Sequence, residues 1–271
     1  MNLSGEFLGL IPSVTTTAGT SLTIQNWSDS GINWISLDLA SLLIKPGYSV
    51  LTTLKNLQEY VDWGQNIILD ASSLTLNKQS MYKIRSTYDG SFIQHTEEEI
   101  AALILALKPH LVLLASNMEI EETPDIIPIA AEPVDMEQCE HRAYLAYTAG
   151  ESWDDFLLRL KNHSYPYVIG NFTAQQMLEI AAHNVLAIQS DKPAQDALQG
   201  LVYAKDESID LQSPLHQLDF RPMDADCKCP TCGQKFTRAY LHHLLSQTPL
   251  LCQRLLIQHN IHHCQSILTS R

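Results

Sequence analysis

Over residues 1–220, short apolar runs alternate with longer segments of helical periodicity. The runs 32–37, 66–69, 110–114, 143–147, 166–169 and 185–188 are apolar on both faces and bounded by turn residues, the pattern of strands covered on both sides. Between them, 50–63 spaces Leu51, Leu54, Leu57 and Val61 by three, three and four, which predicts one helix. Thr96 with Glu99 forms a capping box ahead of 100–107, and Thr173 with Gln176 forms another ahead of 177–183. Ser152 followed by Asp154 and Asp155 predicts a helix over 152–160, because the helix dipole favours acids in a first turn. Pro193 suits the start of a further helix running to Leu201. Residues 119–139, acidic and proline-rich, read as an irregular connection around one short strand at 126–129.

Strand and helix repeated this often imply a mainly parallel sheet with helical crossovers. Seven or eight strands within 1–220 predict an α/β fold of the (β/α)8 TIM-type barrel class, with an open doubly wound sheet as the alternative. The expected organisation is a barrel over 1–220 and a smaller, metal-binding subdomain over 221–271 packed on it. No GxGxxG or GxxxxGK[ST] follows a strand, so the usual nucleotide signatures are missing. Trp34, Trp63 and Trp153 are expected to serve packing.

Composition narrows the class. Apolar residues make up 45% of the 271 and charged residues 17%, as in an ordinary globular chain. No run of eighteen apolar residues is present, and MNLSGEFLGLIPSV lacks a basic leader region, so the expectation is a cytoplasmic protein. Charge is uneven. Residues 1–226 hold 12 basic against 30 acidic residues, a balance of −18, while 227–271 hold five basic residues and no acid. The body should repel a polyanion and the tail could approach one.

Five of the six cysteines fall after residue 226, a clustering that favours metal over disulfides. Cys227, Cys229 and Cys232 form C-x-C-x2-C on a loop with Pro230 and Gly233. Thiolates so close together can converge on a zinc ion, which takes four ligands. His259 is the best fourth ligand, since it follows an amphipathic segment (249–258) able to fold back. His242, His243, His262, His263, Cys252 and Cys264 compete with it. Three Cys and one His would leave no open position for water, which makes the zinc structural.

The segment PMDADCKCPTC, then RAYLHHL, then LLIQHN resembles the C-terminal zinc subdomain of the tRNA-guanine transglycosylases, the queuine and archaeosine tRNA-ribosyltransferases. The resemblance implies Cys227, Cys229, Cys232 and His259 as the zinc ligands. Weaker echoes run upstream: Thr17 to Thr20 is similar to an early T-x-G-T, Lys45-Pro46-Gly47 to R-P-G, Asp70 to the Asp of D-S-G-G-F-Q, and Arg85-Ser86 with Asp89-Gly90-Ser91 to R-S-x-x-D-G-S. The family fold is a (β/α)8 barrel carrying the zinc unit, and its members exchange a guanine of tRNA for a 7-deazaguanine base. One Asp attacks the ribose and a second acts as general acid/base.

The chain is thus expected to be a shortened, divergent member. Asp70 is kept, but Ala71-Ser72-Ser73 stand where the family has Ser-Gly-Gly, and side chains there would crowd a flat base. Ser116-Asn117-Met118 replaces Asp-Glu-Cys, Ala149-Gly150-Glu151 replaces Q-G-G, and Gly170-Asn171-Phe172 replaces G-G-L. The resemblance puts the nucleophile near 203–207, where Asp206 is the nearest carboxylate and no P-T-R follows. The candidate residues are therefore Asp70 and Asp206 for catalysis, and Ser116, Gly150 and Gly170 for substrate. Three functions compete: an accessory member with a degenerate active site, an active base-exchange or glycosylase-type enzyme using Asp70 and Asp206, and a zinc-stabilised interaction protein that binds no nucleic acid. The expected partners are tRNA through the basic tail, a 7-deazaguanine base, and a second copy or a catalytic subunit.

Overall fold

The computed structural model describes residues 6–116, 118–132, 142–205 and 207–270. In chain order the strands are β1 (Leu10–Ile11), β2 (Trp34–Asp38), β3 (Asn66–Asp70), β4 (Met81–Arg85), β5 (Phe92–Thr96), β6 (Leu111–Leu113), β7 (Ile127–Ala131), β8 (Ala143–Ala146), β9 (Tyr167–Ile169), β10 (Ala187–Gln189), β11 (Leu201–Tyr203) and β12 (Ser208–Asp210). The helices are α1 (Ile24–Asp29), α2 (Leu39–Leu42), α3 (Tyr48–Leu51), α4 (Leu57–Val61), α5 (Glu97–Leu107), α6 (Trp153–Lys161), α7 (Ala174–Ala181), α8 (Lys192–Leu198), α9 (Pro230–Gly233), α10 (Arg238–Gln247) and α11 (Pro249–Thr269). The fold is a nearly closed, eight-stranded parallel barrel of the (β/α)8 type, with a Cys3His group near the C-terminus.

The chain forms two compact units. The first comprises Met1–Leu8, Trp34–Gly170 and His183–Gln189, and holds seven barrel strands in the order β10-β9-β8-β7-β6-β3-β2. All six pairings are parallel. Their residues are apolar on both faces because helices cover one side and the barrel interior the other: Ile35, Ile67, Ile68, Leu69, Val112, Ile129, Leu145 and Val168 are fully buried. The register sets Asp38 beside Asp70, so two carboxylates end adjacent strands.

The capping signals of the sequence act at the expected positions. Thr96 and Glu99 cap α5 reciprocally, Thr173 and Gln176 do so for α7, and Ser152 accepts from Asp155 at the start of α6. The helix expected over 50–63 is instead two short ones, α3 and α4. The Asn56 side chain accepts from the Glu59 N–H and starts a new helix, which breaks the periodicity that Leu51, Leu54, Leu57 and Val61 share. The helix opened by Pro193 ends at Leu198, because Gly200 adopts φ +77° and turns the chain into β11.

The second unit comprises Gly9–Asn33, Asn171–Ala182 and Ser190–Arg271. Its spine is α11, whose buried face runs through Leu256, Ile257, Ile261, Cys264 and Leu268. Gln265 on this helix accepts the Leu10 N–H at 2.9 Å. A Cβ on Gly9 would stand 2.8 Å from the Gln265 amide, and Gly9 has φ +85°, so glycine is required there. No helix among the described residues is long and apolar enough to cross a membrane.

Candidate zinc centre and barrel mouth

The zinc-type centre is assembled by α9 and α11. Cys229 is the N-cap of α9, and its Sγ accepts the Cys232 N–H at 3.3 Å. Cys227 Sγ likewise accepts the Cys229 N–H at 3.5 Å. Such N–H donors stabilise thiolates. Thr231 Oγ1 donates to the Leu255 carbonyl at 2.7 Å and ties the knuckle to α11, one turn before His259. His259 is fully buried, and its Nε2 lies 2.6 Å from the Tyr203 carbonyl. A carbonyl can only accept, so Nε2 carries the proton and Nδ1 is left as the ligand atom. Nδ1 stands 3.6, 3.4 and 3.3 Å from the sulfurs of Cys227, Cys229 and Cys232. Around a tetrahedral zinc, with bonds of about 2.3 Å to sulfur and about 2.0 Å to nitrogen, that separation is about 3.5 Å. All four ligand atoms lie within 4.8 Å of one another. The donor set fits zinc, and the four residues would close its shell, so a zinc ion held here would be structural.

A buried polar frame supports the centre. The Asn260 side chain accepts the Tyr203 N–H at 3.0 Å and donates to the carbonyls of Pro193 and Leu201. Arg238 is buried and binds the carbonyls of Pro222 and Met223 and the Glu207 carboxylate, which fixes the approach to Cys227. Where the resemblance puts the nucleophile, Tyr203 ends β11 of the antiparallel β11–β12 hairpin and the Ala204 N–H donates to the Glu207 carbonyl. Asp206 itself lies outside the described residues.

The barrel mouth belongs to the first unit. Asp70 ends β3 and is 8% exposed. One carboxylate oxygen accepts the backbone N–H and hydroxyl of Ser72, and the other accepts Gln189 Nε2 at 2.7 Å. Strands β3 and β10 are not neighbours, so this last bond crosses the barrel interior. Gln189 also accepts the Tyr167 hydroxyl at 2.6 Å, and Tyr144 donates to the Leu114 carbonyl at 2.9 Å. Burial raises the Asp70 carboxyl above the ordinary range, the Ser72 and Gln189 bonds pull it back in part, and the Asp38 charge adds a small push upward. Burial, with the Asp70 charge behind it, takes the Tyr144 hydroxyl to about 12. Asp38 is equally engaged: one oxygen accepts Ser41 N–H and hydroxyl at 2.7 and 2.6 Å, the other the Ser73 hydroxyl at 2.9 Å.

Of the candidate substrate residues, Gly170 follows β9 and donates its N–H to the Gln189 carbonyl at 3.1 Å. Ser116 and Gly150 are exposed in the loops after β6 and β8, Gly150 at φ +98°. Sequence reasoning does not single out Asp38, Tyr144, Tyr167 or Gln189. Each is an ordinary strand residue until the parallel register aligns it with Asp70. Ser72 and Ser73, expected to crowd a base, engage the two strand-end carboxylates through their hydroxyls.

Residues 151–270 match the family model described as queuine tRNA-ribosyltransferase. The Methylobacillus flagellatus protein of that name is 32% identical over 45% of this chain and 34% of its own length. One from Neisseria meningitidis is 33% identical over 40% of this chain and 29% of its own. One from Prochlorococcus marinus is 23% identical, aligned over 91% of this chain and 81% of its own length. The C-terminal part of the chain, 151–270, is thus densely similar to the queuine tRNA-ribosyltransferases, and the chain is weakly similar to them over most of its length. It spans about a third of the length of the curated relatives that head this comparison. The family match takes in the whole Cys3His cluster, so the densest likeness and the best-formed site coincide.

Proposed function

We propose that this protein belongs to the tRNA-guanine transglycosylase family as an accessory member that keeps the barrel and the zinc site and performs no base exchange. The observation that carries this reading is the state of the barrel mouth. Both oxygens of Asp70 and both of Asp38 accept hydrogen bonds from the protein's own side chains and backbone, and two of the donors are Ser72 and Ser73, which replace the family's glycines. A carboxylate that acts on substrate must reach it within hydrogen-bond distance, and every bond to the protein's own donors competes with that contact. A base seated against Asp70 would compete with Ser72 and Gln189 for the carboxylate, and displacing Gln189 would leave a buried donor unpaired. At the start of the segment where a nucleophile is expected, the Tyr203 backbone serves His259 and Asn260.

In this reading zinc ties α11 to the knuckle and supplies no chemistry. Cys227, Cys229, Cys232 and His259 hold the metal. Asp70 acts as a strut across the barrel, and Ser116, Gly150 and Gly170 retain loop positions without a base to read. The partner is a catalytic subunit of the same family. Leu215, Leu218, Phe220 and Leu250 stand exposed in the second unit, apolar surface of the kind that an assembly covers. The basic tail and tRNA belong to the same proposal, as does a cytoplasmic location.

The test is adduct trapping. The zinc-loaded protein is incubated with unmodified tRNA, with and without a 7-deazaguanine base, then denatured. No protein–RNA adduct is expected. An adduct that disappears in Asp206→Ala would establish a live nucleophile and replace this reading by the enzymatic one.

A further inference from the structure

The connection between β3 and α5 carries the antiparallel β4–β5 hairpin. A connection leaving the C-terminal end of a barrel strand stands at the mouth, where the functional loops of such barrels gather. The hairpin breaks the charge pattern of its unit. Residues 72–95 contain Lys78, Lys83 and Arg85 against Asp89 alone, within a body whose balance is −18. Lys78, Lys83 and Arg85 are all exposed. The Asp89 carboxylate is turned into its own loop, bonded to the N–H and hydroxyl of Ser91, which with Ser86 lowers its pKa to about 2. The next acids along the chain, Glu97 to Glu99, form the first turn of α5.

Two aromatic rings on this hairpin face solvent, Tyr88 at 73% exposed and Phe92 at 57%. Each carries a lysine ammonium over its face: Lys83 Nζ lies 4.0 Å from the Phe92 ring centre, and Lys45 Nζ, from the connection after β2, lies 5.4 Å from that of Tyr88. An ammonium beside an open ring is the pairing that receives a nucleotide, phosphate to the cation and base to the ring. Neither ring is part of the buried core.

We infer that the β4–β5 hairpin, with Lys45, is a stacking platform for unpaired nucleotides of an RNA, with Tyr88 and Phe92 receiving bases and Lys45, Lys83 and Arg85 receiving phosphates. This rests on the family reading that the chain engages RNA, and it assigns the RNA to the barrel mouth in addition to the basic tail. It requires no chemistry at Asp70: an accessory member can hold RNA for a partner with its mouth tied shut.

The experiment measures fluorescence anisotropy of a labelled stem–loop RNA with an unpaired loop of about seven nucleotides against full-length zinc-loaded protein, across a salt series. Stacking is worth about 1–3 kcal/mol per base, so the double variant Tyr88→Ala/Phe92→Ala should bind at least about tenfold more weakly. Lys83→Gln/Arg85→Gln should lower the slope of log affinity against log salt by about 0.7 for each phosphate no longer neutralised. In a background of Lys228→Gln/Lys235→Gln in the tail, removing the two rings should still weaken binding by the same factor. All substitutions are at exposed positions, and unchanged thermal melting verifies the fold. Wild-type affinity that survives Tyr88→Ala/Phe92→Ala intact overturns the platform and leaves the family reading standing. A wild-type protein with no RNA affinity at low salt overturns both.

Discussion

At the scale of single residues, His259 and Asp70 show two uses of a buried polar group. His259 is oriented by the Tyr203 carbonyl so that only Nδ1 faces the sulfurs. Binding free energy at such a site is folding free energy. His259→Ala should therefore lose zinc, read as less than one equivalent per chain by metal analysis, and destabilise the second unit by about 3 kcal/mol or more. Asp70 bears a desolvation cost that its hydrogen bonds only partly offset. Its folded pKa lies above the unfolded value, so the folded state binds more protons between the two. Stability then falls as pH rises from the ordinary aspartate range through the folded pKa, and is flat above it. The stability difference between wild type and Asp70→Asn, from urea unfolding between about pH 3.5 and 7.5, should move against wild type over that window. A difference independent of pH would contradict the buried, raised carboxyl. The cysteine triplet is legible in the sequence because its spacing is local. The choice of His259 over His242, His243, His262, His263, Cys252 and Cys264 needs the family motif, since the selection is made by a carbonyl 56 residues away in the chain.

At the scale of elements, what the sequence states locally the chain does. Thr96→Ala should shorten or fray α5 and cost about 1 kcal/mol in chemical denaturation, because the cap satisfies an otherwise orphaned N–H. Asn260→Ala removes one acceptor and two donor bonds from the backbone groups of Tyr203, Pro193 and Leu201. Each unpaired buried group costs about 1–3 kcal/mol, so this change should be the more damaging, seen as a lower urea midpoint and weakened zinc retention. Among the elements that escape sequence reading are the two hairpins and the break at Asn56. Strand β4 mixes the exposed Lys83 and Arg85 with the single buried Tyr82, and β5 buries no residue fully, so neither offers a continuous apolar run to find. The break at Asn56 depends on a cap competing with a helical stripe, and both signals are present in the sequence.

At the scale of the whole molecule, the barrel is nearly closed and the carboxylates at its mouth, Asp70 and Asp38, are held by the protein's own bonds. The barrel class is readable from strand and helix alternation. The state of the mouth is not, because it depends on which residues of β2, β3, β9 and β10 the register aligns. The central claim is that the fold outlives the exchange. It is tested most directly by exchange of labelled guanine into unmodified tRNA by the purified chain holding one zinc. The account predicts no incorporation above a protein-free control from the chain alone, at any concentration that saturates RNA binding. Sustained incorporation that disappears in Asp70→Asn or Asp206→Ala, with zinc content and melting unchanged, would contradict it and establish a working transglycosylase.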